Sequence, residues 1–267
     1  MSASSKQNPA PQIHPTAVIS SGAQLGSDCA IGPYAIIGDE VVLGNGVRLE
    51  GHCVIDGRTR IGDDCHFFPF VSIGLPPQDL KFAGEQSETQ IGRGTRIREF
   101  VTVHRGTAGG GGITRIGENC FLMAQAHVAH DCLIGDNVIM ANAATLAGHV
   151  TVADGANIGA YSGVHQFCRV GREAYIGGYS VVVKDALPFG LTVGNHAKCY
   201  GLNKVGMRRR GYSRETLQAL HHAFHLLLSA KLNTSQAIEQ IRKDITNTPE
   251  VEELVQFVES SQRGVIK

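Results

Sequence analysis

The segment HVAHDC, residues 127–132, sets His127, His130 and Asp131 within five positions. An imidazole beside a carboxylate suits general-base chemistry, in which the acid orients the ring and stabilises the imidazolium that forms. Grouped imidazoles also ligate metals, but a metal site wants three of them converging from neighbouring elements. A base needs one ring and one carboxylate, and Asp131 follows His130 directly. Three further histidines, His104, His149 and His165, flank the segment, and Gly148 lies eighteen residues beyond His130. That interval matters only if the chain repeats in steps of eighteen.

It does. Stepping by six from Ile13 gives Ile19, Leu25, Ile31, Ile37, Leu43, Leu49, Ile55, Ile61, Phe67 and Ile73. The beat returns at Ile91, Ile97 and Val103, and after a phase shift runs from Ile116 to Val182. Four residues after each beat sits a small or β-branched side chain, such as Cys29, Ala35, Val41, Ala126 and Cys132. No helix has a period of six, whereas one large and one small inward position per six describe the wall of a hexapeptide-repeat parallel β-helix. Glycine recurs just after the large residue, as at Gly26, Gly32, Gly38 and Gly44, and is expected to form tight corners. With three hexads per coil and coils stacked about 4.8 Å apart, residues eighteen apart lie one above another. The hexads at 128, 146 and 164 then share a wall and carry His130, His149 and His165. His127 immediately precedes the first, and His104 joins them if the intervening glycines form only a bulge. Five histidines thus fall on one exterior ridge, with the Gly148 amide beside His130. A base next to an amide donor fits acyl transfer, the amide facing the oxyanion that develops.

Two interruptions are expected to leave the coil as loops, at 74–90 (LPPQDLKFAGEQSETQ within it) and at 106–115 around GGGG. Loops thrown off a regular solenoid are where function concentrates. Six of the seven cysteines (29, 53, 65, 120, 132, 168) occupy the small inward column, which makes them core thiols rather than disulfides or metal ligands. Lys plus Arg equals Asp plus Glu at 24 each, so global charge favours neither nucleic acid nor an acidic membrane. The polar start MSASSKQNPAPQ lacks the apolar core of a secretory signal, and no run is long enough to span a bilayer. A cytoplasmic address without membrane insertion is expected. The six-beat stops after DALPFG, and from about residue 196 the spacing turns helical. Leu217, Leu220, Phe224 and Leu227 follow Ser213, a helix cap; Ile238, Ile241 and Ile245 mark a second helix; Thr248-Pro249 opens a third. The expected organisation is a flexible extension over 1–12, a parallel β-helix over 13–195 and a three-helix domain over 196–267.

Together with the prism, HVAHD, HRGT at 104–107, GLPPQDLKF at 74–82, VHQFCRVG at 164–171 and the helical tail resemble the acyl-ACP:UDP-N-acetylglucosamine O-acyltransferases of bacterial lipid A biosynthesis. The resemblance runs from about residue 13 onwards and implies a left-handed β-helix. It also implies homotrimers with clefts between prisms, and movement of a 3-hydroxyacyl group from acyl carrier protein to the glucosamine 3-hydroxyl without cofactor or metal. On these positions it implies His130 as base, Asp131 as its partner and Gly148 as oxyanion donor. Gln78, Asp79 and Lys81 would contact sugar or acyl group, His127, His149 and His165 would line the cleft, and His104 would border it. Gln166, Asn203 and Arg209 would hold the uridine diphosphate, and Gly178 would set room for the acyl chain. Arg208, Arg209 and Arg210 are candidates for docking the acidic carrier. The related N-acyltransferase typically carries a uridine-binding N-terminal domain, for which hexads starting at residue 13 leave no room. A hexapeptide carbonic anhydrase would spend the histidines on zinc. An ice-binding surface would want flat rows of threonine, whereas the outward columns here are irregular.

Overall fold

The computed structural model describes residues 10–228 and 231–267. The expected extension over 1–12 lies largely outside them. The chain divides into two compact units, Met1–Asn137 and Val138–Lys267.

In the first unit, short strands pair in parallel at one-coil intervals, as Ile13 with Ile31, Ile19 with Ile37, and Leu25 with Leu43. From Ala30–Ile31 onwards each two-residue strand of this unit buries its second residue and leaves the first more accessible, so the large beat points inward. Ile37, Val41, Val47, Cys53, Ile55, Cys65, Phe67, Val71 and Ile73 are all fully buried. Burial of such side chains supplies about 1.5–3 kcal/mol each, and in strands this short it outweighs anything the local backbone could give.

The corners correct the sequence reading of the glycines. The left-handed backbone falls two places further on, mostly at non-glycine residues such as Asp28, Tyr34, His52, Asp64, Phe70, Phe100, Gln125 and Asp131, with Gly46 and Gly94 sharing the position. Glycine follows the large residue for a different reason, which is the closeness of the next coil. A Cβ on Gly26 would lie 2.4 Å from the Gly44 carbonyl oxygen.

Both interruptions open at the same corner in successive coils. Ile61 pairs with Ile91, thirty residues on, and Ile91 with Ile116, twenty-five on, so the coils return in register after insertions of twelve and seven residues. The inserted backbone is shorter than the sequence reading allowed. Strands Ser72–Leu75 and Glu88–Ile91 bound the first loop, and Thr102–His104 and Ile113–Ile116 bound the second, because inward positions resume at Thr89 and Thr114.

The second unit continues the six-residue pattern from Ile139–Met140 to Val181–Val182. Helices do not begin at 196. Gly190–Val193 first pairs antiparallel with Lys198–Leu202, whose Cys199 and Leu202 point inward. Among the described residues four helices follow: α1 (Lys204–Arg209), α2 (Arg214–Leu228), α3 (Thr234–Asp244) and α4 (Pro249–Glu259). The short α1 carries no apolar repeat long enough to announce it. Ser213 accepts from the Thr216 amide ahead of α2, and Asn233 and Gln236 form a reciprocal capping box at α3. Arg172 donates to both Glu253 carboxylate oxygens through three contacts of 2.6–3.1 Å, tying α4 to the coil.

Replacing Gly26 by Ala should destabilise the protein by about 1–3 kcal/mol, since the clash is with backbone. Gly163→Ala, where a Cβ meets nothing within 4 Å, should be near neutral. Thermal melts of the two variants check this.

Candidate active site

At the corner that throws off both loops, the next coil places His130 and Asp131. Strand His127–Val128 enters this corner paired with Thr102–Val103, and Asp131 turns it with φ of 59°. The Asp131 amide donates to Thr114 Oγ1 at 2.8 Å, and its side chain is fully buried. A carboxylate so placed needs donors. His130 Nδ1 lies 2.8 Å from Asp131 Oδ2. Thr107 donates twice, from its amide to Oδ1 at 2.9 Å and from its hydroxyl to Oδ2 at 2.6 Å. Because the carboxylate accepts, Nδ1 carries the imidazole proton and Nε2 is the basic nitrogen. His130 keeps 15% of its side chain exposed, which leaves the ring an outlet.

The same unit gathers His104 and His127 beside this pair. Their rings meet edge to face at 5.1 Å, and His127 Nδ1 lies 2.7 Å from the Thr102 hydroxyl. Burial, reinforced by the nearby His127 and His130, pushes His104 down from 6.5 to about 4. Burial and then His130 lower His127 as well. Both rings are therefore neutral at pH 7. Of the three, His130 is the one in contact with a carboxylate. Sequence spacing identified the cluster and its carboxylate, including His104, which the seven-residue insertion leaves in register.

The two loops are laced to each other. Arg105 Nη1 donates to the Gly74 carbonyl, and its guanidinium stands 5.5 Å over the Phe82 ring. Glu85 accepts from the Ala108 amide at 3.2 Å, and the Glu88 amide donates to Gly112. Gln78, Asp79 and Lys81 ride on the outer part of the first loop. Gln78 and Lys81 are exposed, and an Asp79 carboxylate oxygen accepts from the Lys81 amide at 3.0 Å.

The remaining predicted positions belong to the second unit. Gly148 is buried and its carbonyl accepts from the Phe167 amide, while the His149 ring stacks on Phe167 at 4.4 Å. His165 and Gln166 are exposed, with His165 Nδ1 against the Gln166 carbonyl. Gly178 is exposed, and an added Cβ would touch only Ala160 backbone atoms, the nearest at 3.3 Å. Asn203 caps α1 through its Oδ1 and donates to the Glu173 carbonyl, so its amide already holds structure. Arg208 and Arg209 are exposed on α1. Arg210 differs from them, being committed to Glu173 and the Gly155 carbonyl.

Residues 185–266 match the family model described as Udp N-acetylglucosamine O-acyltransferase, domain 2, and residues 22–57 and 113–148 match that of the bacterial transferase hexapeptide. An acyl-[acyl-carrier-protein]–UDP-N-acetylglucosamine O-acyltransferase from Thermodesulfovibrio yellowstonii is 48% identical over 256 residues, 96% of this chain and 99% of that protein. The chain belongs to the UDP-N-acetylglucosamine O-acyltransferase family. Solved O-acyltransferases of this family lie close in structure. LpxA from Acinetobacter baumannii superposes with a TM-score of 0.93 at 42% identity, covering 96% of this chain and 99% of that one. The Bacteroides fragilis acyltransferase gives 0.94 at 39%, covering 96% and 100%. As a member of this O-acyltransferase family the chain is a left-handed parallel β-helix with C-terminal helices. Among the described residues no helix is long and apolar enough to cross a membrane.

Sequence reasoning missed Thr102, Thr107, Gly110 and Thr114 at this candidate site. Their signal was present in part, since Thr107 closes the HRGT motif and Gly110 sits in the four-glycine run.

The depressed His104 has a consequence for stability. Between pH 6.5 and about 4 the unfolded chain binds a proton that the folded chain refuses. The stabilisation is complete above pH 6.5 and is lost as pH falls through that window, by on the order of 2–3 kcal/mol. Urea unfolding at pH 7 and pH 4.5 should show the loss, and His104→Gln should flatten it.

Proposed function

We propose that the protein transfers a 3-hydroxyacyl group from acyl carrier protein to the 3-hydroxyl of UDP-N-acetylglucosamine, the first step of lipid A synthesis, with His130 as general base. The relatives' printed names supply donor and acceptor. The observation that carries the mechanism is the 2.8 Å contact between His130 Nδ1 and the buried Asp131 carboxylate. It fixes the tautomer in which Nε2 takes a proton.

The chemistry follows from those assignments. His130 Nε2 accepts the proton of the sugar hydroxyl as its oxygen attacks the thioester carbonyl. The developing imidazolium is held by Asp131, while the neutral His104 and His127 add no competing positive charge. Gly148, assigned from its eighteen-residue spacing and the resemblance, presents its amide to the tetrahedral oxyanion. Collapse breaks the C–S bond, and His130 returns its proton to the carrier thiolate. No covalent enzyme intermediate and no cofactor or metal is required.

Gln78, Asp79 and Lys81 meet the sugar or acyl group from the first loop. His127, His149 and His165 line the binding cleft, and His104 borders it. Gln166, Asn203 and Arg209 hold the uridine diphosphate. Asn203 can do so while capping α1, because an amide oxygen has a second lone pair and its nitrogen a second hydrogen. Gly178 leaves space for the acyl chain. The protein works in the cytoplasm as a homotrimer, and the exposed Arg208 and Arg209 attract the acidic carrier.

His130→Ala should lower kcat by about 10²–10⁴-fold with assembly and melting unchanged, and near-normal turnover would remove the base assignment. Arg209→Ala should raise KM for the sugar nucleotide with little change in kcat. Mass spectrometry of the product from carriers of several acyl lengths reads chain preference directly.

A further inference from the structure

We infer that Thr107 is a positioning residue for this transfer, clamping the Asp131 carboxylate in the plane that aligns His130. The inference rests on the reading of His130 as the base and adds the group that orients its partner.

A carboxylate attached through an sp³–sp² torsion has a broad rotational well, so its own rotamer does not set the direction of its lone pairs. Donors must do that. Thr107 contacts both oxygens from a single residue, amide to Oδ1 at 2.9 Å and hydroxyl to Oδ2 at 2.6 Å, which fixes the carboxylate plane at two points. His130 Nδ1 then meets Oδ2 at 2.8 Å. Thr107 is itself buried, and the loop it begins folds back over the acid through the turn Ala108–Gly110. The backbone at Gly110 presses so near that an added Cβ would stand 2.0 Å from the Asp131 carboxyl carbon. Gly111 and Gly112, with φ of 96° and 80°, bring the chain out of this turn, and the amides of Gly110 and Gly112 both bond to the Thr107 carbonyl. The glycine run is thus the means by which a seven-residue insertion seals one carboxylate from solvent. In so dry a setting each donor carries more weight than it would in water.

The test is a kinetic cycle read beside His130→Ala. Thr107→Val keeps the β-branched shape and the amide but removes the hydroxyl. It should lower kcat by about 10–100-fold, as misalignment of a reacting group does, with KM for UDP-N-acetylglucosamine and for the acyl carrier unchanged. Thr107→Ser restores the hydroxyl and should recover kcat to within about threefold. Introduced into Asp131→Asn, Thr107→Val should cost less than about twofold more, because both act through the same carboxylate. Gly110→Ala reaches the acid by an independent route and should reproduce the kcat loss at constant KM. The downfield proton resonance of His130 Nδ1–H should be present in the parent protein and Thr107→Ser and broadened or absent in Thr107→Val.

Wild-type kcat in Thr107→Val with His130→Ala inactive would overturn this inference and leave the base intact. An unchanged penalty for Thr107→Val on the Asp131→Asn background would overturn it too. Full activity of His130→Ala would instead remove the reading on which it stands.

Discussion

Close approach of backbone to backbone between stacked coils is the constraint on which the molecule depends. The carbonyl of Gly44 occupies the space where a Cβ of Gly26 would be, and the Gly117 backbone stands equally near Gly92 one coil further along. At that separation the wall strands of the first unit find hydrogen-bond partners one coil away, as Ile13 does with Ile31 and Leu25 with Leu43. Chains of two-residue strands have almost no local stability of their own, so register is everything. It is this register that converts a sequence interval into a spatial address.

The site uses that address at a corner instead of a wall. Two successive coils release their extra residues there, and the following coil turns through Asp131. The loops are bonded to one another through Glu85 and Ala108 and through Arg105 and Gly74. The second loop in turn holds the acid through Thr107. A path of direct contacts therefore runs from the outer loop bearing Asp79 and Lys81 to the carboxylate beside His130. The surrounding histidines contribute by staying uncharged. Burial keeps the His104 proton off at neutral pH, so its ring stands beside the pair as a neutral polar group.

Much of this could be seen in the residues themselves, because the hexad beat is a periodic signal and each buried Ile, Leu or Val repeats it. His127, His130 and Asp131 were legible because they crowd ionisable groups into the positions between its inward residues. What escaped notice is aperiodic. Thr107 meets Asp131 across twenty-four residues through a loop that obeys no repeat, and Thr114 looks in the sequence like any other small inward residue. The glycines were recognised as meaningful but credited with turning corners, since a glycine at a bend and a glycine under a neighbouring backbone look alike in one dimension. The strand Lys198–Leu202 was hidden for a related reason: an antiparallel return follows no six-residue step.

The corner that releases both loops also sets how such a chain can change length. A wall cannot gain or lose one residue without rotating every later side chain from inside to outside, so along the walls growth is counted in whole coils. At the corner, by contrast, twelve residues enter one turn and seven the next while the following strands resume their partners. Loop-closure entropy grows only logarithmically with such additions. The scaffold is thus strict in its arithmetic along the paired walls of these coils, while this corner can be edited without recounting the strands that follow.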